Sequence, residues 1–164
     1  YNVVFPTRSV IKSIIKYTNC IQSVDRISLA EKLQKRLEFE NKTIDIFIQV
    51  NTSSEQSKFG ILPKDAINFA ISLGKFTRLN VKGLMTIGIF SANNKAVRDC
   101  FRCLKQVQKQ LLSAGISAYE LSMGMSNDLE IAIEEGATII RIGTAIFGKR
   151  THPDSYYWNE NKTS

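Results

Sequence analysis

ELSMGMSNDLEIAIEEGATIIRIGTAIFG, residues 120–148, holds two glycine- and hydroxyl-bearing turns one short helix apart, each following an apolar run. The first run ends near Ser122 and breaks into Met123-Gly124-Met125-Ser126. A helix is expected next, with Asn127 as its N-cap and Glu130 three residues on to complete a capping box. Gly136 stops that helix, and the β-branched run Thr138 to Ile142 reads as a strand ending in Gly143-Thr144. A strand that hands a glycine and a hydroxyl to a tight turn or helix start clusters backbone N–H groups, an arrangement that holds phosphate. Two such turns on neighbouring parallel strands are placed to converge on one phosphate.

Outward from this stretch, helical periodicity and strand-like runs alternate along the whole chain. Val10, Ile11, Ile14 and Ile15 form a short helical stripe behind Ser9, a candidate N-cap, and Cys20 to Val24 reads as a strand. Leu29, Ala30, Leu33 and Leu37 make the apolar face of the next helix, and Ile44 to Val50 is a second strand. A polar loop, Asn51 to Gly60, leads to Pro63, which starts a helix where its missing N–H costs nothing. Val81 to Ile87 gives a third strand, with Gly83 inside it where something must approach closely. Val97, Cys100, Phe101, Leu104, Val107 and Leu111 stripe a long helix that Gly115 ends, and Tyr119 to Ser122 is the fourth strand.

Five strands separated by helices predict right-handed βαβ units and a parallel sheet, an α/β fold. A doubly wound sheet usually carries G-x-G-x-x-G in its first turn, and that pattern is absent. The polar and glycine residues gather in the loops after the strands, as in a (β/α)8 barrel, whose sites form at the strand C-termini. A full barrel takes roughly 200 to 250 residues, so the expectation is part of a barrel, about five strands over residues 1–150, followed by a polar tail at 151–164.

Composition narrows the classes. With 164 residues and 43% hydrophobic content the chain has enough apolar material for one sizeable core. No apolar run approaches the ~20 residues of a membrane span, and no secretory signal pattern opens the chain. Three cysteines, Cys20, Cys100 and Cys103, lack disulfide-framework spacing and suit a reducing cytoplasm. The net charge of +7 raises nucleic acid as a partner, but the basic residues are scattered and alternate with acids, as in Lys35-Arg36-Leu37-Glu38. They read as solvated helix faces, and neither nucleic acid nor membrane is expected as a partner. The first residue, Tyr1, is not an initiator methionine, so the chain is expected to have lost its beginning.

SVDR at 23–26, IQVN at 48–51, SKFGI at 57–61, KGLMTI at 82–87 and LSMGMSNDLEIAIEEGATIIRIGTAIFG at 121–148 stand in an order and spacing that resemble the pyridoxal phosphate homeostasis family, relatives of the N-terminal barrel of alanine racemase. The likeness runs from about Cys20 to Arg150. It implies a barrel that binds pyridoxal 5′-phosphate as a buffer or carrier, without an established reaction. It further implies that Ser126 and the backbone at Gly143 and Thr144 hold the phosphate. Arg141 would face the pyridine nitrogen, with Ser122, Met123 and Met125 lining the same mouth. An arginine there keeps that nitrogen unprotonated and weakens the ring as an electron sink, which suits a carrier. The lysine that family members use lies on a first barrel strand whose sequence blocks are not found here, so these residues by themselves are expected to bind weakly and non-covalently, whereas in a longer protein the missing segment would restore the lysine. Two open sheet edges invite self-association. The alternatives are a pyridoxal enzyme of the racemase type, or a remnant or interaction module.

Other candidates have plainer readings beside them. Lys58 is the nearest substitute amine, in a loop that overhangs the barrel mouth, while a structural contact is the commoner use of such a residue. An ion pair at the barrel end is the structural alternative for Arg141. Cys100 and Cys103 have CxxC spacing but lie within a long helix, with no second pair to complete a metal site, so packing is expected. His152, the sole histidine, sits in the polar tail, which disfavours histidine-dependent triads. The tail's Tyr156, Tyr157 and Trp158 are expected on the outer surface.

Overall fold

The computed structural model describes residues 11–53, 55 and 58–148. Strands β1 (Cys20–Val24), β2 (Ile44–Gln49), β3 (Leu79–Met85), β4 (Glu120–Met125) and β5 (Ile139–Arg141) form one sheet in the order β1-β2-β3-β4-β5. Every neighbouring pair is parallel. Spatial order therefore equals chain order. A doubly wound sheet reverses direction at a switch point, and no reversal occurs among these strands, so the fold is a half-barrel of βα units.

The helices are α1 (Ile11–Tyr17), α2 (Ile27–Phe39), α3 (Ala66–Leu73), α4 (Asn94–Ser113), α5 (Leu129–Glu134) and α6 (Thr144–Phe147). Alternation along the strands divides the sheet's two faces. Ile44, Ile46 and Ile48 of β2, Leu84 of β3, and Leu121 and Met123 of β4 join the helix stripes in one large core. Cys20, Phe47 and Met85 form a separate cluster on the other, concave face. A register shift in β1 sets Gln22 and Ser23 against a single step of β2, so that Ile21 and Val24 both reach the helix side.

Sequence signals explain most element ends. Asn93 caps α4, its side chain accepting from the N–H groups of Lys95 and Ala96 at 3.0 and 3.3 Å. Gly115, at φ +78°, closes α4 with the Ile116 N–H donating to the Leu111 carbonyl at 2.9 Å. Gly83 answers its expectation, since a Cβ there would stand 2.0 Å from the Glu120 carbonyl oxygen.

Three local expectations need correction. The capping box at Asn127 and Glu130 does not form: Asp128 is the N-cap of α5 and its side chain makes no capping bond. Asp128 instead accepts from the Met125 N–H at 2.6 Å, closing the turn that leaves β4 and delaying the helix by one residue. Strand β3 begins two residues before Val81 and ends at Met85. Asn80 and Lys82 disguise its start because they face Asp45 on β2, at 3.3 and 3.8 Å, at the sheet's rim. Pro63 opens a 3₁₀ turn, Pro63–Asp65, ahead of α3. Ser9, His152 and the aromatic cluster at 156–158 lie outside the described residues.

Candidate functional site

The concave face is polar where the strands end. Ser122, fully buried on β4, donates its hydroxyl to Gln22 Oε1 on β1 at 2.7 Å. These strands are not neighbours, so sheet curvature alone brings them together across β2 and β3. Arg141 of β5 donates to Ser122 Oγ at 2.8 Å and to the Thr86 carbonyl at 2.7 Å. The result is a polar bridge over an apolar floor of Phe47 and Met85. Burial pulls the Arg141 guanidinium down from its ordinary range to about 10, opposed by the charge of Asp128. It stays a cation at neutral pH. No ion pair of the described residues involves Arg141, so its partners are a hydroxyl and a carbonyl rather than the ion pair that was its structural alternative.

The two turns of the 120–148 stretch meet. Ser126, after β4, accepts from the Ala145 N–H in the first turn of α6 at 3.2 Å. Gly124, at φ +89°, lets α5 pack closely on β4, because a Cβ there would stand 2.4 Å from the Ala132 Cβ. Gly143 behaves differently. Its φ is −121° and a Cβ on it would meet none of the described residues within 4 Å, so they leave open space before it. Thr144 beside it is exposed.

Met123 departs from its expected place. It is fully buried in the helix-side core, because its odd offset from Ser122 turns it to the opposite face. Met125 is exposed at the strand end and pairs in register with Arg141. Lys58 stands apart from the Ser126 turn in its bonding. Its Nζ donates to the Gly88 carbonyl at 2.8 Å and pairs with Glu55 at 2.9 Å. It borders a cavity of about 180 Å³ with Asn51, Thr52 and Thr86, after β2 and β3.

Two functional candidates escaped sequence reading, Gln22 and Thr86. Gln22 carried one signal, a polar side chain centred in an otherwise buried strand, CIQSV. The cysteines are packing residues: Cys100 Sγ lies 3.5 Å from the Thr52 carbonyl, and burial pushes the Cys20 thiol up to about 11, with Asp45 adding to the shift. Among the described residues no group of histidines, cysteines and acids is placed to hold a metal, and no helix is long and apolar enough to cross a membrane.

A pyridoxal phosphate homeostasis protein of Aquifex aeolicus is 41% identical over 136 residues, which are 80% of this chain and 58% of that protein. An unknown protein from Bifidobacterium adolescentis matches in structure with a TM-score of 0.84 at 37% identity, over 88% of this chain and 59% of its own. PipY of Synechococcus elongatus, solved with PLP bound, matches with a TM-score of 0.78 at 26% identity, over 87% of this chain and 67% of PipY. The chain thus spans less than two thirds of the curated relative. With residues 3–151 matched by the family profile, it belongs to the alanine racemase N-terminal domain family.

Proposed function

We propose that the chain binds pyridoxal 5′-phosphate non-covalently at the C-terminal end of its sheet and serves cytoplasmic homeostasis of that cofactor as a carrier rather than a catalyst. The observation that carries this reading is the meeting of Ser126 and Ala145 beside the open space at Gly143, next to a buried arginine on the concave face. The parts fit the group. A hydroxyl and a cluster of backbone amides suit a phosphate. The arginine suits an acceptor on the ring's edge.

Bound pyridoxal phosphate supplies an electron-accepting ring. In this reading the Ser126 hydroxyl, held by the Ala145 N–H, and the amides of Gly143 and Thr144 hold the phosphate. Arg141, steadied by Ser122 and Thr86, offers a donor to the ring nitrogen and so leaves that atom unprotonated, which restrains the ring's reactivity. Lys58 already bonds a carbonyl and a carboxylate and is given no covalent role. Among the described strands β1 and β5 lie outermost, and in this reading copies associate through them.

The test is a binding titration of residues 1–164 with pyridoxal 5′-phosphate, followed by ring absorbance and by equilibrium dialysis. Saturable binding is expected, lost in Ser126→Ala and absent for pyridoxal without its phosphate. Binding that survives Ser126→Ala unchanged would overturn the assignment of the phosphate cup. Light scattering of the same sample checks association, with a strictly monomeric species counting against it.

A further inference from the structure

Arg141 is aimed in part by a backbone carbonyl that lies just past the end of a strand. β3 stops at Met85, and the Thr86 carbonyl accepts from Arg141 at 2.7 Å. The Thr86 N–H still bonds β4, through the Ser122 carbonyl at 3.1 Å, but its own carbonyl belongs to the first peptide of the turn that follows. The side chain of Thr86 fixes that peptide. Its hydroxyl oxygen accepts from the Gly88 N–H two residues on at 3.2 Å, and Gly88 stands at φ +71°, where glycine bends the chain without strain.

The same hydroxyl is gripped from the loop after β2. Thr52 Oγ1 lies 2.9 Å from Thr86 Oγ1. Thr86 is only 1% exposed, so a hydroxyl proton that did not bridge the pair would be a buried donor with no acceptor among the described residues; Thr86 therefore donates to Thr52, and Thr52, half-buried, keeps its own proton for water. Thr52 is anchored in turn by α4, where Cys100 Sγ lies 3.5 Å from its carbonyl. Lys58 holds the far end of the turn, donating to the Gly88 carbonyl at 2.8 Å. Thr52, Lys58, Thr86 and Gly88 all line the cavity of about 180 Å³ between the two loops. Around that space the loops are joined by these few directed bonds rather than by close packing.

We infer that Thr86 and Thr52 are positioning residues for Arg141: their hydroxyl pair fixes the turn after β3, and that turn presents the carbonyl that sets the guanidinium toward the bound ring. The second half of this statement rests on the reading of Arg141 as the donor to the ring nitrogen. Neither threonine has to touch the ligand. The loop after β2 governs, at one remove, how firmly that nitrogen is kept unprotonated, because a guanidinium held in place is a better donor than one that swings.

The test compares wild type with Thr86→Val, which keeps the shape and removes the hydroxyl, Thr86→Ser, which keeps the hydroxyl, and Thr52→Val. Two readouts are taken beside the melting temperature. The first needs no ligand: solvent exchange of the Arg141 guanidinium protons, followed by NMR on arginine-labelled protein. Exchange is expected to quicken roughly tenfold in Thr86→Val, the loss of about one hydrogen bond, to stay near wild type in Thr86→Ser, and to quicken by a smaller factor in Thr52→Val. The second is the nitrogen resonance of ring-labelled pyridoxal 5′-phosphate bound at neutral pH, which should move toward its protonated position in Thr86→Val and stay in place in Thr86→Ser. A lowered melting temperature with both readouts unchanged would show that Thr86 only supports the fold, and failure of Thr86→Ser to restore them would show that the hydroxyl is not the cause; either result overturns the proposal. Should Thr86→Val not fold, Thr52→Val on the half-buried loop carries the test, and wild-type exchange in it overturns the proposal. Wild type that binds no pyridoxal 5′-phosphate would defeat the cofactor reading instead, while the exchange measurement still decides whether the threonines position Arg141.

Discussion

The two faces of the sheet are built on different rules. Toward the helices, side chains are apolar at every second strand position and at every third or fourth helix position, and their partners are interchangeable within the core. On the concave face a few polar groups have named partners. Ser122 and Gln22 are 100 residues apart in sequence, and Arg141 serves two strands at once. The first face stores stability. The second holds a donor set in place, and one substitution there removes a direction rather than a volume.

Substitutions on the two faces should separate these roles. The largest stability loss is expected from Phe101→Ala, which empties a fully buried position in α4 and should cost ~3–5 kcal/mol in denaturant unfolding, with pyridoxal phosphate affinity retained at temperatures where the variant stays folded. Arg141→Met should do the reverse. It orphans the Thr86 carbonyl and disorders the Ser122 chain, so ~1–3 kcal/mol of stability is at stake, while ligand affinity should fall at least roughly tenfold. Equal effects of both variants on binding would erase the contrast. Asn93→Ala removes a cap far from either face and should cost ~1 kcal/mol in melting experiments without touching binding.

A smaller effect lies in the link between α4 and α5. Glu135 accepts from Arg98 at 2.7 Å and from Arg102 at 3.2 Å, and the Arg98 bond first, then Arg102, holds its carboxyl below the usual range. The folded chain therefore binds this proton less readily than the unfolded chain. Its contribution is present above the ordinary carboxylate pKa and is lost as pH falls through the lowered folded value. Melting temperatures measured from pH 6 to pH 3 should drop less steeply in Glu135→Gln than in wild type, and parallel curves would count against the link. The smallest difference concerns thiols. Cys103 is partly exposed and Cys20 is buried with its pKa raised to about 11, so a thiol reagent at pH 8 should modify Cys103 first.

The legibility of the sequence follows the same division. Helix α4 is legible from its stripe and Gly115 marks its end, and Cys20–Val24 is bounded as the sequence reads it, because apolar period and turn chemistry are local. Gly83 announced a close approach, although only the structure shows that the backbone of Glu120 on another strand makes it. The capping box at Asn127 misled because Asp128 bonds backward to Met125, a choice set by the turn that α5 needs to pack on β4. Met123 misled for a simpler reason: within a short apolar run, parity decides the face, and one residue's offset sends it to the helices.

Of the site, the sequence determined the parts: Ser126 and Gly143-Thr144 in two turns one helix apart, and Arg141 at the end of a β-branched strand. Only the tertiary structure decided that the turns touch, that Arg141 is held by a hydroxyl and a carbonyl, and that Gln22 bonds Ser122 across the sheet. The physical reason is range. Propensity, capping and periodicity act over a few residues, whereas the curvature of a five-stranded parallel sheet sums the twist of all its strands and sets β1 opposite β4.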